Sequence, residues 1–88
     1  MSNHHIKQNY FELILKNKEA IATGEFGIGA KILTINIDLS NLENHSKIDN
    51  SNIRSIIEKK SRDTLFLKTL IVISDEVIAT SSSIWTKN

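Results

Sequence analysis

The chain has 88 residues, 11 Lys and Arg against 10 Asp and Glu, a net charge of +1 and no cysteine. That length holds one small domain, residues 1–88, which buries only about 60–65% of its unfolded surface and is marginal as a lone monomer. The charge balance argues against a nucleic-acid surface, the missing cysteines exclude a disulfide framework or thiolate metal site, and no apolar run reaches the roughly 18 residues of a membrane span.

Residues 1–8 are polar and are expected to be flexible. Asn9-Tyr10-Phe11-Glu12 has the form of a capping box, in which Asn9 accepts from a backbone N–H three residues on and Glu12 reaches back. Tyr10, Phe11, Leu13, Ile14, Leu15, Ala20, Ile21 and Ala22 then predict a helix apolar around much of its first two turns, hence an enclosed one. Lys16, Asn17, Lys18 and Glu19 would form its wet side, and Gly24 would end it in a left-handed conformation.

Residues 31–40 alternate strictly, with Leu33, Ile35, Ile37 and Leu39 on one face, which predicts a half-buried strand. Residues 41–52 are polar apart from Ile48. They are too many for a hairpin loop and so are expected to cross an end of the sheet. Three β-rich runs follow over 53–58, 64–73 and 77–86, separated by short polar breaks that signal hairpins. The middle run is apolar on both faces: Leu65, Leu67, Ile71 and Ile73 on one, Phe66, Leu70 and Val72 on the other. Cover on both sides is expected, by the helix and by a second subunit. The fold class is therefore α+β, one central helix packed on a four-stranded antiparallel sheet.

A helix followed by four antiparallel strands resembles the hotdog fold of acyl-CoA thioesterases. Residues 9–15 are similar to the start of the central helix in the 4-hydroxybenzoyl-CoA thioesterase-like family, where an Asn-Tyr pair follows a His. Residues 53–86 resemble that superfamily's closing strands, with a basic turn at Lys59, Lys60 and Arg62 and a final Val-Ile-Ala-Thr run. The chain departs from the pattern by lacking the family's first strand: only eight residues precede Asn9, and none is the acidic residue that the family places there for catalysis.

The resemblance implies acyl-CoA or acyl-carrier thioester hydrolysis in a homodimer or homotetramer, with no cofactor of its own beyond the coenzyme A thioester as substrate. The alternative is a non-catalytic hotdog that binds an acyl ligand or serves as an assembly subunit. Hydrolysis needs a polarised carbonyl and a carboxylate that acts as base or nucleophile; a helix N-terminus supplies the first. On that pattern Asn9 and Tyr10 stand at the helix end, His5 just before it, and Glu12 is the nearest carboxylate. A plain capping role for Asn9 and Glu12, and a core role for Tyr10, are the commoner uses of such residues. Lys59, Lys60 and Arg62 would meet the phosphates of coenzyme A, or simply form a solvated hairpin tip.

Two other patterns carry nothing. His4, His5 and His45 lack a fixed carboxylate partner and predict no metal site. The glycines of residues 24–31 do not form a phosphate loop, because no Ser or Thr follows Lys31 and the segment runs from helix to strand. With no signal-peptide core after Met1, the cytoplasm is the expected location.

Overall fold

The computed structural model describes the backbone of residues 3–40 and 48–87, and the side chains of residues 10–40 and 48–87. It has the expected architecture: helix α1 (Asn3–Phe26) lies on one face of a four-stranded antiparallel sheet. The strands are β1 (Lys31–Asp38), β2 (Ile53–Lys60), β3 (Thr64–Ile73) and β4 (Glu76–Thr86), in spatial order β1-β4-β3-β2. Strands β2, β3 and β4 form a meander, and β1 sits beside β4. The connection after β1 therefore carries the chain to the opposite edge of the sheet, as its length requires, a Greek-key arrangement read in reverse. It ends in a short 3₁₀ turn (Asn50–Asn52), where Asp49 accepts from the Ser51 N–H at 2.8 Å and Asn52 returns the bond to the Asp49 N–H at 2.9 Å.

The helix corrects three expectations. Its backbone is helical from Asn3, so Asn9 is not its N-cap. At its other end it runs past Gly24 to Phe26. Gly27 takes the left-handed conformation (φ 86°), its N–H closing on the Thr23 carbonyl at 2.7 Å. Nor is the helix enclosed over its first two turns: Tyr10, Ile14, Lys18 and Ala22 are buried, whereas Phe11, Glu12 and Ala20 are exposed. An i, i+4 stripe of this kind faces a single sheet.

The sheet's helix-facing side carries two apolar clusters. Tyr10 and Ile14 pack with Ile53, Ile71, Ile78 and Ala79 under the first half of the helix, and Ala22 packs with Leu65, Leu67 and Trp85 under the second. Helix α1 lies mainly on β2, then β3 and β4, and least on β1. Phe66, Leu70 and Val72 occupy the other face of β3 and are half-buried by their strand neighbours alone.

Three β-bulges reset the period-2 pattern. Leu33, Glu58 and Ile78 are each an extra residue between consecutive ladder partners. The bulge at Leu33 corrects the predicted face of β1: Ile32, Ile35 and Ile37 align with the helix-facing residues Trp85, Ser83 and Ser81, and Leu33 is left 60% exposed. The bulge at Ile78 turns two consecutive residues, Ile78 and Ala79, inward. Among the described residues, no helix is long and apolar enough to cross a membrane.

Candidate functional site

Two of the residues singled out on the helix, Tyr10 and Glu12, do not converge. Tyr10 is buried in the first apolar cluster, and burial raises its phenol above the usual range. Glu12, two positions on, is turned by about 200° around the helix and is exposed to solvent. The two therefore lie on opposite sides of α1. With the helix starting at Asn3, its positive dipole end lies roughly 9 Å of axial rise before Asn9, so neither Asn9 nor Tyr10 stands at the unpaired N–H groups. The side chains of His5 and Asn9 lie outside the described residues, although both residues are helical in backbone.

The basic turn spreads its charges apart. Lys59 and Lys60 end β2 and alternate between its faces. The Lys60 ammonium lies on the helix side, 2.6 Å from the Glu25 carboxylate and 5.9 Å from the Phe26 ring. Lys59 projects to the opposite face, 5.9 Å over the Phe66 ring. Arg62 is at the tip, its Nε 3.3 Å from Asp63. Two of the three cations already face a carboxylate, and the three point in different directions. Side chains in this arrangement can each touch an anion, but they do not form one phosphate cradle.

The most unusual group is one the sequence reading placed in water. Lys18 is completely buried, 0% exposed, midway along the helix stripe. Its Nζ donates to the Ser81 carbonyl at 3.3 Å. Removal from water pushes its ammonium down to about 8, against 10.5 for a free lysine, and the Glu58 charge opposes that shift. Beneath it runs a polar rung across the sheet, in which Ser55 pairs with Thr69, and Thr69 with Ser81. The Ser55 hydroxyl donates to Asn17 Oδ1 and lies 2.7 Å from Thr69 Oγ1. With the Ser55 proton given to Asn17, the Thr69 hydroxyl donates to Ser55. Ser81 Oγ is buried without a hydrogen-bond partner among the described residues.

This polar layer separates the two apolar clusters. A signal for it exists in the chain, since Lys18 falls on the i, i+4 series with Tyr10, Ile14 and Ala22, and Ser55, Thr69 and Ser81 fall on inward positions of their strands. The ordinary solvation of lysine masks that spacing. A lowered amine is a nucleophile only where a substrate can reach it. Lys18 is sealed by helix and sheet, so its role is structural.

Among the described residues, no cluster of three or more His, Cys, Asp or Glu side chains is placed to hold a metal ion. Searches against protein-family models, curated proteins and solved structures returned no match.

Proposed function

We propose that the chain is a hotdog-like binding subunit that takes acyl thioesters, of coenzyme A or of an acyl carrier, and hydrolyses them weakly or not at all. The α+β architecture and strand order support the resemblance, and the position of Glu12 favours its non-hydrolysing branch. A carboxylate must lie within about 3 Å of the water or carbon it serves. Glu12 lies on the solvent side of α1, away from Tyr10, and the helix end that would polarise the carbonyl lies nearly two turns earlier. Binding needs no such carboxylate.

Two measurements on one preparation test this. Calorimetry with short, aromatic and long-chain acyl-CoA esters should register binding of at least one, and a thiol-release assay on the same esters should register little turnover. Turnover near 1 per second or faster overturns the non-hydrolysing reading, and Glu12→Gln then reports whether Glu12 is the base. Absence of binding across the panel removes acyl thioesters as the ligand.

A further inference from the structure

The charges of this chain are sorted along the sheet. Antiparallel pairing gathers the start of β1, the end of β2, the start of β3 and the end of β4, since Lys31 and Thr64 both sit opposite Thr86, and Lys60 opposite Leu65. The C-terminus of α1 meets the same end, where Lys60 reaches Glu25 and Phe26. Lys31, Lys59, Lys60, Arg62 and Lys87 are all exposed there. The Lys87 N–H donates to the Asp63 carbonyl at 2.9 Å, which ties the end of β4 to the β2–β3 turn. Glu25 and Asp63 lie beside these cations, and each already faces one of them. Glu58, further along β2, acts on Lys18. The other end of the sheet has the reverse sign: among the described side chains Asp38, Asp49, Asp75 and Glu76 stand there against Arg54.

The basic end also carries Ile28, which is 95% exposed. Its loop runs from the end of α1 over β2 to β1 at the opposite edge, and so crosses the end of the sheet. The Ala30 N–H closes on the Gly27 carbonyl at 3.4 Å, with Ile28 at the first corner of the turn and Gly29 (φ 99°) at the second. Only a residue tolerant of the left-handed region suits that second corner. The turn thus holds Ile28 away from both apolar clusters and among the cations.

We propose that this end of the protein docks on an anionic phospholipid bilayer. Ile28 enters the boundary between headgroups and acyl chains, and the cations rest among the headgroups. Lys59 and Lys60 on opposite faces and Arg62 at the tip cannot cradle one phosphate, but a bilayer offers each of them a separate anion. A single-stranded nucleic acid would stack its bases on aromatic faces. The rings at this end, Phe26 and Phe66, each already lie beneath a lysine, and Ile28 would have no part in such a contact. The inference goes beyond acyl-thioester binding, which calorimetry reads in the absence of vesicles.

The test is co-sedimentation with vesicles of phosphatidylcholine containing about one-third phosphatidylserine, and with phosphatidylcholine alone. The wild-type chain should bind the anionic vesicles only. Binding should weaken as salt shortens the screening length from about 30 Å at 0.01 M to about 8 Å at 0.15 M. Lys31→Gln and Lys87→Gln should each weaken it by about fivefold, and Ile28→Ser by about tenfold or more. These positions are exposed, so circular dichroism should stay unchanged, and Glu76→Gln at the opposite end should bind as wild type. The chain has no cysteine, so Ile28→Cys takes a single environment-sensitive fluorophore. Its emission should shift to the blue on anionic vesicles, whereas the same label on Glu76→Cys should not respond. Absence of binding to anionic vesicles overturns the proposal. So does binding to which Ile28→Ser is indifferent, or a label at position 28 that stays in water. Capture by a single-stranded oligonucleotide but not by vesicles also overturns it and assigns the basic end to nucleic acid.

Discussion

Replacing Lys18 by methionine tests the central feature of this interior. Lys18 is sealed between α1 and the Ser55–Thr69–Ser81 rung, with its ammonium lowered from 10.5 to about 8 by desolvation. In the unfolded chain the same amine holds its proton up to its ordinary value, so between pH 8 and 10.5 the unfolded state binds more protons than the folded one. Stability must rise with pH through that window. Below pH 8 both states are protonated and the folded state carries the full penalty, on the order of 3 kcal/mol.

Methionine has similar length and no charge. Lys18→Met should therefore stabilise the protein at pH 7 by about 2–3 kcal/mol after loss of the bond to the Ser81 carbonyl, and should remove the rise above pH 8. Tyr10 sets the upper limit of the experiment. Its raised phenol means that the unfolded state loses that proton first near pH 10, which pulls stability down again. Urea titrations followed by Trp85 fluorescence at pH 7, 8, 9 and 9.5 give both curves. A Lys18→Met protein less stable than wild type at pH 7, or a wild type whose stability is flat from pH 8 to 9.5, would refute this account of the interior.

Two further outcomes follow from local geometry. The β3–β4 hairpin turns through Ser74 (φ 51°) and Asp75 (φ 65°), both left-handed; Asp75→Gly should relieve strain and stabilise by about 0.5–1 kcal/mol, read as a thermal midpoint about 2–8 °C higher. Trp85 is buried and donates through Nε1 to Ser83 Oγ at 2.9 Å; Ser83→Ala leaves that donor without its acceptor and should destabilise by about 1–3 kcal/mol in the same urea assay.

Properties set by neighbouring residues were legible in the chain itself. Strands β3 and β4 were readable because side chains alternate every two residues and the Ser74-Asp75 break demands a tight turn; the helix was readable because Tyr10 to Ala22 offers apolar groups at helical spacing. The polar stretch after β1 announced a long crossing because no hairpin needs so many residues. The candidate site was legible only as residue types. Glu12 and Tyr10 are two positions apart in sequence, and helical rotation alone puts them on opposite sides; where the helix begins then decides whether Asn9 can meet a dipole end.

Tertiary structure decided what depends on more than one element. Lys18 reads as a solvated residue until a sheet closes over its side of the helix and Ser81 supplies its carbonyl. Leu33, Glu58 and Ile78 look like ordinary members of alternating runs, and only pairing with a neighbouring strand makes one residue of each run supernumerary. The partner of β1 is also a long-range matter, because β4 is some fifty residues away along the chain and burial of Trp85 under α1 fixes which of its faces turns inward. Local spacing limits each segment to a few conformations, and the free energy of burying one segment against another selects among them.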